Sequence, residues 1–246
     1  MIHRAATSGF STDARRYDSA RPAYHPELVQ RFVDDFGAGR VLEIAAGTGI
    51  FTGQLATHGI DIVAIEPVEA MRAALTNNVP SVEVRTGTAE HLPIENASVD
   101  VVAVAQAFHW FDHLPALDEI HRVLQPGGHL VTIWNVKDGD AAWYRRYMEI
   151  VDRHTDDTPR HADMRWRRAI DDDQRFVLVK DCKVDNSQLT DQDGIIERAL
   201  STSFIAALPP EQQTAVASEI KSILGDVDMP VSFPYQGELQ AWQKTT

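Results

Sequence analysis

The feature that most constrains the fold of this chain is a regular alternation of short apolar segments and helical segments between residues 40 and 135. Five segments are rich in valine, isoleucine and other apolar residues: "RVLEIA", "IDIVAIEP", "SVEVRTG", "SVDVVAVAQAF" and "HLVTIWN". Segments with the 3.6-residue period of an amphipathic helix, such as "GIFTGQLATHG" and "VEAMRAALTNN", lie between them. Strands that alternate with helices predict a parallel sheet covered on both faces. We therefore predict a doubly wound α/β domain through about residue 135.

The sequence on either side of this region predicts a single domain over residues 1–246. The N-terminal part, 1–37, contains an arm and an amphipathic helix with Pro26 near its start and Gly37 beyond its end. A core over 38–135 follows, and its last helix, "LPALDEIHRVLQPGG", is expected to end at Pro126. Residues 136–246 mix helical stretches, an arginine-rich stretch without a clear period and two extended segments, which predicts a cap and closing strands.

Composition and charge exclude several classes of function. The 246 residues carry a formal net charge of −13, which disfavours nucleic acid or an anionic membrane as the main partner. The single cysteine, Cys182, excludes an intramolecular disulfide and a cysteine-rich zinc site, and no carboxylate–histidine spacing predicts another metal site. The N-terminus has no signal-peptide pattern and no apolar run is long enough to span a membrane. We expect a cytoplasmic protein with a small-molecule partner; its oligomeric state cannot be read from the sequence.

The loop after the first predicted strand, in "RVLEIAAGTGIF", is the expected binding site, because open α/β sheets bind ligands at the carboxyl ends of their strands. Gly47 and Gly49 lie in this loop, although a glycine pair alone also suits a tight turn. A dinucleotide-binding loop requires a third small residue three positions later, where this chain has Thr52. The loop therefore predicts a ligand site but disfavours a dinucleotide.

Two acidic residues narrow the choice of ligand. Glu43 precedes the loop, so its charge would act on a ligand bound there. Two unit charges about 4 Å apart interact by about 4 kcal/mol at an effective dielectric near 20. Such a carboxylate repels a phosphate and attracts an ammonium group. Glu66 ends the second strand, where a carboxylate can accept both ribose hydroxyls, each bond contributing roughly 1.5–3 kcal/mol. Together they indicate an adenosine that carries an amine and no phosphates.

At these residues the chain resembles the class I S-adenosylmethionine-dependent methyltransferases. The similarity lies in "VLEIAAGTG", "AIEP", "GTAEHLPIENASVDVVAVAQAFHWFD" and "ALDEIHRVLQPGGHLVTIWN", and it is close over roughly residues 15–135. Within the superfamily, "YDSARPAYHPEL" and "QAFHWFD" are similar to the small-molecule branch with trans-aconitate methyltransferase-like proteins. The resemblance implies a Rossmann-like, seven-stranded, mostly parallel sheet with an antiparallel last strand and a helical cap.

The resemblance also implies S-adenosyl-L-methionine as the cofactor and a set of residues that bind it. Four positions would hold its methionine end: Glu43, Ala45, Gly47 and Gly49. Seven positions would contact the ribose, the adenine or the sulfonium: Glu66, Pro67, Met71, Thr88, Ala89, Glu90 and Gln106. Two positions depart from the family. Ala45 replaces a glycine, and this change is tolerable if the backbone there has negative φ. Thr88 replaces an aspartate that accepts a hydrogen bond from the adenine amino group.

In such an enzyme the protein mainly aligns the acceptor with the methyl group for in-line displacement. His109 is the catalytic candidate, as a general base that takes the acceptor's proton, and a role in packing around the cofactor is the alternative. A carboxylate acceptor, the first choice by resemblance, would need no base. The candidate substrate-binding residues are Tyr17, Arg21, Tyr24 and Trp110.

Three other functions stay open at this point. A quinone-type carbon methyltransferase would have a deep apolar cap, whereas this chain has Arg165, Arg167 and Arg168 in that region, either as a local positive field or as a solvated face. A nicotinamide-dependent oxidoreductase is disfavoured by Glu43 and Thr52. A non-catalytic protein that binds S-adenosylmethionine or S-adenosylhomocysteine would share the site and lack turnover.

Overall fold

Seven strands form one sheet in the computed structural model, which describes residues 21–155 and 158–245. The strands are Val41–Ile44 (β1), Ile62–Ile65 (β2), Glu83–Arg85 (β3), Val99–Ala105 (β4), Leu124–Lys137 (β5), Phe176–Thr190 (β6) and Val231–Lys244 (β7). Their order across the sheet is β3-β2-β1-β4-β5-β7-β6. Strand β7 runs antiparallel to β5 and β6, and the other neighbours are parallel. The predicted fold class is confirmed.

Helices cover both faces of the sheet and build the cap. In the described part of the chain they are Pro26–Phe36 (α1), Ile50–Ala56 (α2), Glu69–Asn78 (α3), His113–Val123 (α4), Ala142–Asp152 (α5), Arg165–Asp171 (α6), Gln192–Leu200 (α7), Ser203–Ala206 (α8) and Pro210–Ile223 (α9). Helix α1 begins at Pro26 and its C-cap is Gly37, as predicted. None of the helices in the described ranges is both long and apolar enough to cross a lipid bilayer.

Three apolar clusters hold these elements together. On one face of the sheet, Trp134 of β5 packs with α4 and with Trp166 of α6. On the other face, Phe32 of α1 packs against Phe51 of α2. The third cluster lies in the cap, where Tyr147 of α5 packs with α7, α9 and the start of β7. Complete burial of one such side chain stabilises the fold by about 1.5–3 kcal/mol. The cap is therefore packed on a core of its own at the end of β5 and the start of β7.

One predicted helix boundary is wrong, and one helix was not predicted. The helix expected to end at Pro126 ends at Val123, and β5 begins at Leu124 and includes the glycine pair. Strand pairing decides this boundary, because Leu124 is buried and pairs with Val99 of β4. The arginine-rich stretch forms α6, since Trp166 and Ile170 lie four residues apart and are both buried. A single pair is too little periodicity to recognise in the sequence.

Candidate active site

A cavity of about 770 Å³ lies at the carboxyl ends of the parallel strands. We call it the cleft. It is lined by ten predicted site residues: Ala45, Gly47, Glu66, Pro67, Met71, Thr88, Ala89, Glu90, Gln106 and Trp110. Six further residues line it: Ile44, Val68, Gly87, Ala105, Ala107 and Phe111. A mostly apolar wall with a few polar groups at one end suits a flat aromatic ring attached to a polar sugar.

Glu66 is the buried acidic residue of the cleft, and its side chain fixes the glycine loop. One carboxylate oxygen accepts from the backbone N–H of Gly47 and the other from that of Val68, each at 2.8 Å. Burial raises the pKa of Glu66, and the two backbone hydrogen bonds oppose that rise. Each carboxylate oxygen has two lone pairs, so both can accept a further hydrogen bond. This arrangement fits the predicted contact with the two ribose hydroxyls.

Glu43 lies in an inner pocket of about 310 Å³ that adjoins the cleft. Its side chain is completely buried, and the Thr52 hydroxyl donates to Oε2 at 2.6 Å. Among the described residues Oε1 has no hydrogen-bond partner. Burial raises the pKa of Glu43 to about 8, so this carboxyl is mostly protonated at neutral pH when no cation is near. The sequence argument assumed an ionised carboxylate; in the folded chain, a bound ammonium group would be needed to ionise it.

Tyr24 closes the inner pocket from the N-terminal side. Its backbone N–H donates to the side-chain oxygen of Gln54 at 2.9 Å, and the Gln54 amide donates back to the Tyr24 carbonyl at 2.8 Å. The ring packs edge-on against Phe51 at 5.2 Å between centroids. Tyr17, the other predicted tyrosine of this arm, lies outside the described residues.

The backbone is left-handed at two residues that end strands in the cleft. Ala45 has φ of 56° and Gln106 has φ of 58°. The expectation of negative φ at Ala45 is therefore wrong. A side chain in this region costs roughly 1–2 kcal/mol, and such strain is concentrated at functional sites in many proteins. Both residues line the cleft.

Gly49 has a packing role. With φ of 89° it is the N-cap of α2, and it lines neither the cleft nor the inner pocket. A Cβ atom at this position would lie 3.0 Å from Cγ of Leu75 on α3. The absence of a side chain at Gly49 thus allows α2 and α3 to approach closely.

His109 lies just behind the cleft wall, in a 3₁₀ turn over Phe108–Trp110. Its half-buried ring packs at 4.8 Å from the Trp110 ring and 5.6 Å from the Trp134 ring, between centroids. Burial, and then the neighbouring His161, lower the pKa of His109 to about 3. The imidazole is therefore neutral at pH 7 and a weak base. It is not among the lining residues of the cleft, and its catalytic role stays a prediction.

A third cavity, of about 290 Å³, opens beside the inner pocket. We call it the basic chamber; its lining residues are Arg21, Pro22, Tyr24, Ile50, Gln106, Asn135 and Arg198. Gln106 lines the cleft, the inner pocket and the chamber. The Asn135 side chain donates to the backbone carbonyls of Pro22 and Ala23, at 3.4 and 3.3 Å, which fixes the N-terminal segment that carries Arg21. The chamber is thus where a second ligand can approach the cofactor site.

Two basic side chains, Arg21 and Arg198, line this chamber, and both act electrostatically on a third, Lys137. Arg198 donates from Nε to the Tyr235 hydroxyl at 2.7 Å, and Arg21 donates to the Ser201 carbonyl at 2.9 Å. The Lys137 ammonium lies 5.3 Å from the centroid of the Tyr147 ring. Among the described residues no carboxylate lies within salt-bridge distance of Lys137. Burial, followed by Arg198 and Arg21, holds the pKa of Lys137 well below its usual range.

Sequence reasoning found Arg21 but missed Lys137 and Arg198. One signal was available: Arg198 follows Ile195 by three residues on the buried face of α7, where an arginine is unusual. The arginines of α6 do not supply the chamber's charge. Arg165 pairs with Asp163, and Arg167 pairs with Asp171 and Asp181. Arg165 and Arg168 are exposed, whereas Arg167 is mostly buried over the Trp242 ring, so the solvated-face alternative describes the first two.

The comparisons with known proteins agree with this site. The family model described as a methyltransferase domain matches residues 42–132. A methyltransferase-like protein of Schizosaccharomyces pombe is 33% identical over 227 residues, which cover 91% of this chain and 88% of that protein. A Mycobacterium tuberculosis methyltransferase is 32% identical over 221 residues, covering 90% and 87%. Both relatives are described as uncharacterized.

Among solved structures, one from Anabaena variabilis, assigned to the methyltransferases of an antibiotic biosynthesis pathway, matches with a TM-score of 0.64. It is 17% identical, and the match covers 90% of this chain and 98% of that one, so it supports the fold alone. The fold, the cleft and the two relatives together place this chain in the family of S-adenosylmethionine-dependent methyltransferases. The predicted cofactor and the predicted enzyme class are confirmed. No group of histidine, cysteine, aspartate or glutamate side chains within 21–155 and 158–245 is arranged to hold a metal ion.

Proposed function

We propose that this methyltransferase acts on a small molecule in the cytoplasm and transfers the methyl group to a carboxylate oxygen. The observation that carries the proposal is the basic chamber, which adjoins the cofactor site at Gln106 and has Arg21 and Arg198 in its wall. Two guanidinium groups and the Asn135 amide in one small chamber suit a small anionic acceptor.

The residues that would hold the cofactor fit its chemical groups. Glu43 offers an oxygen without a hydrogen-bond partner to the ammonium group, Glu66 offers acceptor lone pairs to the ribose, and the apolar cleft suits the adenine. When bound, S-adenosylmethionine supplies an electrophilic methyl group on a positively charged sulfur. Because Gln106 and Ala105 line both the cleft and the inner pocket, they would border the reacting end.

The chamber supplies what a carboxylate acceptor needs. Two guanidinium groups can bind an anion through charge-assisted hydrogen bonds and orient one of its oxygens. A carboxylic acid with a pKa near 4 is already ionised at neutral pH, so no side chain has to remove a proton. This agrees with the low pKa of His109, which makes it a poor base. Positioning, rather than proton transfer, is then the main contribution of the protein.

The test is a comparison of matched acceptors with the purified enzyme and S-adenosylmethionine. Small carboxylic acids are paired with primary amides and alcohols of the same skeleton, and products are identified by mass spectrometry together with S-adenosylhomocysteine. We expect methyl esters from a subset of the acids and no product from their amides. Transfer to nitrogen, phenol or carbon in preference to any acid would contradict the carboxylate proposal. Tight cofactor binding without turnover on a wide panel would favour the non-catalytic alternative.

A further inference from the structure

Glu43 is a buried acid whose surroundings favour a neutral carboxyl. Its side chain is completely buried on β1, and the Thr52 hydroxyl of α2 donates to Oε2 at 2.6 Å. Among the described residues Oε1 accepts no hydrogen bond. The group that acts on Glu43 electrostatically is another acid, Glu66, which opposes a second negative charge. Because an unpaired carboxylate is costly to bury, the protonated form is favoured while no ligand is bound.

The elements packed around Glu43 bring no positive charge to it. On the neighbouring strands β2 and β4, Ala64 and Ala103 lie beside it. Of the residues that the structure describes, those lining the inner pocket include no lysine, arginine or histidine. The titratable groups that face Glu43 are Glu66, just after β2, and the phenol of Tyr24 from the N-terminal segment. Neither group can supply a cation, so a positive partner has to come with the ligand.

The cofactor brings such a partner. S-adenosylmethionine and its product S-adenosylhomocysteine both carry an ammonium group on the amino-acid end, which would enter the inner pocket beside Glu43. An ammonium stabilises the ionised carboxylate through a charge-assisted hydrogen bond. In this exchange a neutral carboxyl and an ammonium become an ion pair, and one proton passes from Glu43 to the solvent. An adenosine that ends in a methylthio group has no amine and cannot make the exchange.

We propose that the cofactor site exchanges a proton for an ammonium group, and that its protonated form accepts a second class of ligand, adenosine thioethers without an amine. Such a ligand would occupy the cleft and contact Glu66 through its ribose, while Glu43 stays neutral and needs no partner. Acidification then shifts the site from the cofactor toward neutral nucleosides. The inference concerns the cofactor site and holds whichever acceptor the enzyme methylates.

The size of this effect follows from the coupling between proton release and binding. Burial raises the pKa of Glu43 to about 8, so the empty site holds this proton across the neutral range. If one proton is released for each ligand bound, the affinity for S-adenosylhomocysteine rises about tenfold per pH unit below that value. Titration of Glu66 affects both ligands through the ribose and cancels in the ratio of their affinities. From pH 6.0 to 7.5 we expect the affinity for S-adenosylhomocysteine, relative to 5′-methylthioadenosine, to rise roughly thirtyfold.

Isothermal titration of the enzyme in buffers of equal pH and different ionisation enthalpy counts the released protons. At pH 7 we expect about one proton per S-adenosylhomocysteine and none per 5′-methylthioadenosine. Glu43→Gln has no proton to release, so the ratio of the two affinities should not depend on pH. Glu90→Gln, the matched control, changes another acid of the cleft and should keep the one-proton release. Thermal unfolding of each variant verifies that it is folded.

The proton count on the unmodified enzyme does not depend on any variant. No proton release with S-adenosylhomocysteine, or a release that persists in Glu43→Gln, would overturn the exchange. Failure of 5′-methylthioadenosine to bind at pH 6.0 would overturn the second class of ligand. If the acceptor comparison instead yields no methyl esters, the carboxylate proposal fails and the proton exchange is unaffected.

Discussion

The cofactor site and the basic chamber share Gln106 but are built in opposite ways. In the cofactor site, the acids Glu43 and Glu66 lie near the ends of adjacent strands, and their partners Thr52, Gly47 and Val68 are at most 19 residues away in the chain. In the chamber, Arg21 donates to a carbonyl 180 residues away, at Ser201. The first site is local in sequence and acidic, whereas the second is assembled from distant segments and basic.

This difference indicates that the cofactor and the acceptor are bound by different parts of the fold. Local motifs on a rigid parallel sheet fix the geometry of a ligand that every catalytic cycle uses. The chamber depends on the cap, on α7 and on the segment that precedes α1, so its shape and charge can differ between relatives without disturbing the sheet. The following predictions test each side of the comparison, beginning with the largest expected effect.

Glu43→Gln tests whether the acidic side holds a buried proton. The folded-state pKa of Glu43 is raised to about 8 from 4.5, so the folded chain binds more protons than the unfolded chain between these values. Stability is thus expected to fall as pH rises through this window, by about 5 kcal/mol at most. Chemical denaturation at several pH values checks this: the wild type should lose stability relative to Glu43→Gln. Parallel profiles would show that Glu43 is ionised in the free enzyme.

Glu66→Ala tests the ribose contact. The variant loses one or two charge-assisted hydrogen bonds, so cofactor binding should weaken by about 1.5–3 kcal/mol, or roughly 10- to 100-fold. Calorimetric titration with S-adenosylhomocysteine measures the loss. Glu66→Gln keeps the shape and one acceptor oxygen for the N–H of Gly47 or Val68, and it should lose less. Unchanged affinity in Glu66→Ala would place the ribose elsewhere.

Lys137→Met tests the basic side. The substitution preserves length and removes the charge next to Tyr147, so the acceptor's KM should rise about tenfold while cofactor affinity changes little. Steady-state kinetics with the best acid from the acceptor panel separates KM from kcat. Lys137→Arg is the charge-preserving control and should recover most of the affinity. A KM equal to that of the wild type would remove Lys137 from the chamber's function.

Ala45→Gly gives the smallest expected effect and tests the strained wall between the two sites. Glycine adopts φ of 56° freely, so relief of strain should exceed the added entropy of the unfolded chain and stabilise the protein by about 0.5–1 kcal/mol. Ala46→Gly is the control, because Ala46 is buried and does not have positive φ; it should destabilise. Thermal unfolding of both variants measures the difference. Destabilisation by Ala45→Gly would mean that its methyl group packs usefully in the cleft.

The same comparison explains what could be predicted from the sequence. The strands and most of the cleft lining were predictable because valine-rich segments, glycines and strand-end acids occur in a fixed order with local spacing. The chamber was not, because Arg198 and Tyr235 meet only through tertiary packing of α7 on β7. The protonation of Glu43 could not be predicted from the sequence either, because it depends on complete burial of the side chain rather than on its neighbours in the chain.

The most direct test of the account is a crystal structure of the enzyme with S-adenosylhomocysteine and the best acid from the acceptor panel. We expect the amino group at Oε1 of Glu43, the ribose hydroxyls at Glu66, and the acceptor carboxylate between Arg21 and Arg198, with one oxygen directed toward the sulfur past Gln106. An acceptor bound outside the basic chamber, or with its carboxylate directed away from both arginines, would contradict the account.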